Sequence, residues 1–277
     1  MTCAWDAYIN LLPCWLRDDV NRLGRDNLQE LRLRIGRPPE LQLCGKSICV
    51  PGIVRADDLL FVINIASRYS PWTAGSAVNG YITAQGGHRI GICGRICDKA
   101  AEIPSPTSLS IRVARDITGI AGRIADLTGS TLIIGKPGTG KTTLLRDALR
   151  TRSDSYEGAV TVVDDRGELF PVIRNEFAFY PGKRTDVLSG YPKCVGIEML
   201  LKTMNPKIIG VDEITSQEDC RTLMRAGWCG VSIWSTAHAS DRDELFHRPV
   251  YMPLLQKGLF QNLIILREDK SWICERM

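Results

Sequence analysis

Thr131-Leu132-Ile133-Ile134-Gly135-Lys136-Pro137-Gly138-Thr139-Gly140-Lys141-Thr142-Thr143-Leu144-Leu145 is the stretch that decides how this chain is read. Residues 135–142 match G-x-x-x-x-G-K-[ST] in full, and the flanks are those the pattern requires. The apolar run 131–134 reads as a buried strand, and residues 143–149 read as a helix. Glycines in such a loop let backbone N–H groups curl around phosphate oxygens, and the helix N-terminus adds partial positive charge. Gly135, Lys136, Pro137, Gly138, Thr139, Gly140, Lys141, Thr142 and Thr143 are therefore the candidate nucleotide-binding residues. Lys141 would reach the β and γ phosphates of ATP, and Thr142 would ligate Mg²⁺.

Three further apolar runs, 160–163, 208–211 and 231–234, alternate with helical segments from about residue 116 onward. Continuous apolar strands between helices predict a parallel sheet covered on both faces. Such sheets bind ligands at the carboxyl ends of their strands. Asp212 and Glu213 stand at one such end, which suits Asp212 to Mg²⁺ and Glu213 to polarising the attacking water. Asp164, Asp165, Arg166 and Glu168 stand just past another, with Asp165 a further Mg²⁺ candidate through water. Ser235-Thr236-Ala237-His238 is read as following the run 231–234, with His238 able to bond the γ-phosphate or its water. Thr215-x-x-Glu218 fits a capping box for the next helix.

Residues 1–115 read differently, as a smaller α+β domain ahead of the domain 116–277. A helical stretch surrounds residues 11–23 and another covers 57–67. Residues 31–35 alternate strictly, as a half-buried strand does, and 40–43 is the return strand. Residues 81–84 and 89–92 flank Gly86-Gly87 as a second hairpin, and 108–114 alternate again.

The 277 residues are 44% hydrophobic and 24% charged, values that exclude a disordered, collagen-like or rod-like chain. The formal charge of +4 is too small to argue for nucleic acid. Ten cysteines without a C-x-x-C pair are read as buried small hydrophobes in a reducing compartment. With three histidines and no tight ligand spacing, a zinc site is not expected, and His88 and His247 are read as surface residues. No signal-peptide pattern and no apolar run long enough to span a bilayer occur, so a cytoplasmic protein is expected.

The ordered set GKPGTGKTTLLRD, VVDDRGEL, GKRTDVL, IIGVDEI and STAH resembles the secretion-ATPase superfamily of type II and type IV secretion and type IV pili. The segments LRLRIGRPPEL, GGHRIGICGR, SLSIRVAR and RTDVLSGYPKCVGIEMLLKTMNPKIIGVDEI resemble, within it, the stage III sporulation AA family. The resemblance implies an N-terminal domain joined to a RecA-like P-loop ATPase domain, assembled as a homo-hexamer. It also implies a sporulation motor peripheral to a membrane-embedded, secretion-like channel between mother cell and forespore. Carried over, Lys141 and Thr142 are Walker A, Asp212 and Glu213 Walker B, and His238 the His box. The Asp box falls on Asp164, Asp165 and Glu168 with Arg166, Asp165 standing in place of a glutamate. In such hexamers an arginine from the N-terminal domain or a neighbouring subunit can reach the γ-phosphate. Arg184 and Arg112 are the preferred candidates among Arg89, Arg95, Arg112, Arg115 and Arg184.

Three functional readings stay open on the sequence. An ATP-hydrolysing motor leads. A nucleic-acid-handling RecA-like ATPase is weakened because aromatic and basic residues are not interleaved for base stacking. A non-hydrolysing scaffold gated by ATP is the third.

Overall fold

The computed structural model describes residues 1–68, 80–95, 105–173 and 175–277. They form two compact units, Met1–Asp116 with Ile173–Ala178, and Ile117–Val172 with Phe179–Met277.

The first unit begins with helices α1 (Trp5–Leu11) and α2 (Cys14–Leu23). Strands β1 (Leu28–Arg34), β2 (Glu40–Leu43) and β3 (Lys46–Cys49) follow, then helix α3 (Ala56–Ser67). Strands β4 (Tyr81–Thr83), β5 (Arg89–Arg95) and β6 (Ser105–Arg112) complete an antiparallel sheet of order β3-β2-β1-β6-β5-β4. Alternation sets the faces: Leu31 and Leu33 are fully buried, whereas Arg32 points outward and bonds Glu30. Tyr8, Leu16 and Val20 of the first two helices, and Leu59 and Ile63 of α3, share one core with Leu31, Leu41, Ile90 and Ile111.

Three expectations are corrected in this part of the chain. The single helical stretch around residues 11–23 is two helices, because Leu12 precedes Pro13 and is extended (ψ 149°). His88 is fully buried, not on the surface. Its Nδ1 accepts from the Ala114 N–H at 3.0 Å, and its Nε2 lies 2.9 Å from the Ala4 carbonyl, so Nε2 carries the proton. The ring thus joins the chain start to the end of β6. The cysteines are not buried small hydrophobes: of the nine described, Cys220 alone is buried, and Cys14, Cys44, Cys49, Cys93, Cys229 and Cys274 are exposed. Cys97 lies outside the described residues. All nine are free thiols.

The second unit contains β7 (Thr131–Gly135), α4 (Lys141–Ser155), β8 (Val160–Asp164), β11 (Thr185–Ser189), α5 (Lys193–Thr203), β12 (Ile208–Val211), α6 (Gln217–Trp228) and β13 (Ser232–His238). Helices α7 (Arg242–His247) and α8 (Met252–Gln256) lead to β14 (Asn262–Leu266) and β15 (Trp272–Arg276). The short strands β9 (Val172–Ile173) and β10 (Glu176–Phe177), which follow β8 in the chain but fall in the first unit from Ile173 onward, pair with each other. The large sheet has the order β11-β8-β12-β13-β7-β14-β15 and is parallel from β11 to β14, with β15 antiparallel at the edge. Every residue of β7, β8, β12 and β14 is buried, as strands covered on both faces require. The register aligns Gly135 with His238 and Val211 with both Ser235 and Val163, so the strand ends that matter share one edge.

Two expectations here shift by register. Residues 235–238 do not follow a strand but belong to it: β13 runs to His238 because β7 offers a parallel partner as far as Gly135. The capping box before α6 uses Ser216 and Asp219, not Thr215 and Glu218. His247 is exposed, and no helix among the described residues is long and apolar enough to cross a membrane.

Burial pulls the pKa of His88 below its ordinary value, against the hydrogen bond to Ala4. A base depressed in the folded state contributes stability that is full above its unfolded pKa and is lost as pH falls. The advantage of the wild type over a His88→Gln variant should therefore shrink between pH 7 and pH 5, read by urea unfolding. A difference that does not change with pH would contradict this role.

Candidate functional site

The loop between β7 and α4 is shaped by its glycines. Gly138 (φ +76°) and Gly140 (φ +101°) are left-handed, and a Cβ at either would meet nothing within 4 Å. Glycine is needed there for conformation, and the face beside it stays open. Gly135 is needed for space, since a Cβ would lie 2.6 Å from the Leu266 carbonyl and 2.8 Å from Thr139 Oγ1. Gly140 caps α4 without any side-chain acceptor, so the N–H groups of the first turn are offered to an incoming anion. Lys136 and Pro137 are exposed, Thr139 is buried and bonds back to the Lys136 carbonyl at 2.8 Å, and Thr143 lies half-buried in the first turn of α4.

Lys141 is buried and folds back on its own loop. Its Nζ donates to the Gly135 and Lys136 carbonyls at 2.8 and 2.9 Å and lies 3.0 Å from His238 Nδ1. Burial lowers its pKa, although Asp212 and Glu213 oppose that shift. A lysine has only donors, so His238 Nδ1 accepts and Nε2 carries the proton. That Nε2 stands 3.1 Å from Glu213 Oε1. Glu213 Oε2 is 3.4 Å from Arg166 Nη1. A continuous run of polar contacts thus joins Lys141, His238, Glu213 and Arg166.

Asp212 is buried and saturated by hydroxyls. Thr142 Oγ1 donates to its Oδ2 at 2.8 Å, and Thr236 Oγ1 donates to its Oδ1 at 2.7 Å. Thr236 also accepts the Glu213 N–H at 2.9 Å. A hydroxyl and one carboxylate beside a helix N-terminus suit a cation that keeps most of its ligands as water and phosphate, as magnesium does. The described residues contain no group of three or more His, Cys, Asp or Glu arranged to hold a metal by themselves.

Asp164 and Asp165 part company. Asp164 is buried and accepts the N–H groups of Glu168, Leu169 and Phe170 at 2.8–3.0 Å. Burial raises its pKa to about 6 against those bonds. Its work is to fold the loop that follows. Asp165 faces Lys193, whose Nζ is 3.8 Å from Oδ2, and burial also raises its pKa. Asp164, Asp165, Arg166, Glu168, Asp212, Glu213 and Lys193 line one small pocket.

Of the preferred arginines, Arg184 is not brought to this place within its own unit. Arg184 precedes β11 and donates to the Ser153 carbonyl at 3.3 Å, near the far end of α4. At a helical rise of about 1.5 Å per residue, that is roughly 18 Å along the helix from Lys141. Arg112 belongs to the first unit, exposed and 3.5 Å from Glu30. There too, Arg89 stacks on Tyr81, Arg115 donates to the Arg25 and Leu28 carbonyls, and Arg95 is exposed.

The sequence reading passed over two residues of the site, Lys193 and Thr236. Lys193 follows Pro192 at the start of an ordinary helix and matches no motif. Thr236 sat inside the quoted STAH segment, but only an unbroken β13 shows that its side chain faces Asp212.

A family profile described as sporulation stage III, protein AA, matches residues 9–273. The chain belongs to that family. Stage III sporulation protein AA of Bacillus subtilis (strain 168) is 34% identical over 257 residues, covering 88% of this chain and 84% of that protein. An uncharacterized protein, ycf45, of Porphyra purpurea is 25% identical over 267 residues, 90% of this chain but 43% of that protein. Among solved structures, the Legionella pneumophila ATPase DotB matches with a TM-score of 0.62 at 15% identity, over 96% of this chain and 80% of that one. The pilus retraction motor PilT with bound ADP matches with a TM-score of 0.64 at 15% identity, over 90% and 77%. At such identities the likeness concerns the fold, which is the RecA-like α/β fold of secretion ATPases.

Thr236 is 1% exposed, so removing its hydroxyl leaves buried polar atoms without a partner. Thr236→Val should lower unfolding stability by about 1–3 kcal/mol. Thr236→Ser should restore most of it, read by chemical denaturation. Equal stability of the valine variant would show that these bonds do not matter to the fold.

Proposed function

We propose that the chain is an Mg²⁺-dependent ATPase of the secretion-ATPase type that works as a motor in sporulation. The observation that carries this reading is the meeting of Lys141, Thr142, Asp212, Glu213 and His238 at one edge of a parallel sheet, directly before a helix N-terminus. On this reading the backbone of residues 135–143 cradles the phosphates, and Lys141 exchanges its loop carbonyls for phosphate oxygens. Thr142 and Asp212 hold Mg²⁺, which when bound neutralises charge on the phosphates. Asp165 touches that ion through water. Glu213 orients and deprotonates the attacking water, and His238 links it to Lys141 so that both respond to the γ-phosphate.

Membership of the family supports a role for this activity in sporulation. The first unit is the N-terminal domain of the motor, and the active form is a hexamer with sites shared between subunits. Arg184 or Arg112 of a neighbouring copy completes each site. The partner is a membrane-embedded channel, to which a cytoplasmic protein binds peripherally.

Phosphate release from Mg²⁺·ATP across a protein concentration series tests the reading. Activity should rise more steeply than protein concentration and vanish in Lys141→Ala. Glu213→Gln should bind ATP but turn over roughly 10²–10⁴-fold more slowly. Equal turnover in Glu213→Gln would remove the base assignment. ATP binding that changes oligomer size without any phosphate release would favour the gated scaffold. Arg184→Ala or Arg112→Ala should cost about 10³-fold in turnover if that residue completes the site. Wild-type rates in both would dismiss the two arginines.

A further inference from the structure

Glu213 is held in a conformation that side-chain-bearing residues avoid. Its φ is +48°, in the left-handed region, at the point where β12 has just ended. Such a backbone persists only when its surroundings over-determine it. Two contacts do so. On one side the Glu213 N–H donates to Thr236 Oγ1 at 2.9 Å. On the other the Glu213 carbonyl accepts from Lys193 Nζ at 2.6 Å.

Lys193 is an unusual residue for such a task. Its side chain is 5% exposed, and lysine is seldom buried without a charge partner. Its nearest carboxylate, Asp165 Oδ2, is 3.8 Å away, farther than the Glu213 carbonyl. The ammonium is therefore aimed first at a backbone oxygen and only second at an acid. It is also the buried cation of a pocket that five carboxylates line; its charge opposes the burial that raises the pKa of Asp165 and helps hold that of Asp219 low. Asp219 in turn caps α6, the helix that starts four residues after Glu213. One side chain thus reaches the loop after β8 and the backbone that joins β12 to α6.

We propose that Lys193 is the positioning residue for Glu213. It holds the Glu213 carbonyl so that the backbone stays left-handed and the carboxylate stays between His238 and Arg166. Without the ammonium, the carbonyl loses its donor and the facing acids lose their shared counter-charge. Glu213 then relaxes toward extended backbone, and its carboxylate leaves His238. The proposal rests on reading Glu213 as the base, but its structural half does not need turnover to be tested.

The test uses the full chain with Lys193→Met, which keeps the length and loses donor and charge, and Lys193→Gln, which keeps a donor. In Lys193→Met, kcat should fall by about 10²-fold, the order expected of a base misplaced by 1 Å. The Kd for a fluorescent ATP analogue should not change, since the Lys193 ammonium bonds the Glu213 carbonyl and faces Asp165, both outside residues 135–143. Lys193→Gln should recover part of kcat. A crystal structure of Lys193→Met should show Glu213 out of the left-handed region and parted from His238. Wild-type kcat in Lys193→Met would overturn the proposal. So would a loss of binding equal to the loss of turnover, or a crystal structure with Glu213 unchanged. If the wild type releases no phosphate, the reading of Glu213 as a base fails by itself, and the variant structure still decides whether Lys193 holds it.

Discussion

The second unit depends on one buried carboxylate. Asp212 accepts one hydroxyl from α4 and one from β13, residues 70 and 24 positions away in sequence. A buried acid without partners is strongly unfavourable, so these two bonds set how far α4 can slide past the sheet edge. Everything that follows in the chain inherits that placement. Because Asp212 must look back at Thr142 and Thr236, Glu213 must turn away from the strand. There its φ is left-handed, held by Thr236 on the N–H and Lys193 on the carbonyl, and its carboxylate stands 3.1 Å from His238.

Adjacent acids with different duties recur along this edge. Asp164 gives its oxygens to three backbone N–H groups, while Arg146 donates to the carbonyls of Glu168 and Leu169 at 2.7 Å. The loop after β8 is therefore clamped through both its N–H and its C=O groups, which presents Asp165 and Arg166 to Glu213 and Lys193. The same division appears in α4. Asp147 accepts the N–H groups of Gly119 and Ala121 and pairs with Arg150 at 2.8 Å, the two side chains of that pair being buried. The helix that carries Lys141 and Thr142 at its start is thus pinned in its middle to the chain segment before β7.

Periodicity made most of the second unit legible, because strands buried on both faces are apolar without interruption. Residues 131–134, 160–163 and 208–211 stand out for that reason, and the loop after the first carries its own chemistry. The strand β13 was read short because Ser235 and Thr236 are polar. Their hydroxyls are satisfied inside the sheet, Ser235 by the Val211 carbonyl at 2.7 Å, so polarity did not end the strand. The run that became β14 is as apolar as β7, yet it follows two short helices instead of one long crossover and did not read as part of the sheet. His88 and Lys193 were illegible for a deeper reason. Each is polar, belongs to no chemical motif although its segment resembles the family, and owes its burial to backbone atoms that arrive from distant positions. The cysteines mislead in the opposite sense, since a residue type that is usually buried lies mostly on the surface here.

The glycine-rich loop of residues 135–142 is gripped from two sides of unequal strength. On the His238 side the contacts are buried or half-buried and charge-assisted. On the β14 side the turn into β15 reaches over the loop. Lys270 Nζ donates to the Gly138 and Thr139 carbonyls at 3.1 and 2.9 Å, and Lys136 Nζ pairs with Glu268 at 2.8 Å. The Lys136 pair is exposed, so salt and side-chain entropy leave it weak. Its value lies in direction instead. Lys270 takes carbonyls of the loop and so leaves its N–H groups uncommitted to that flank. The loop is thus held through its carbonyls on both flanks, by Lys270 on one and by Lys141 on the other, and the Lys141 contacts are the ones that lead on through His238 to Glu213.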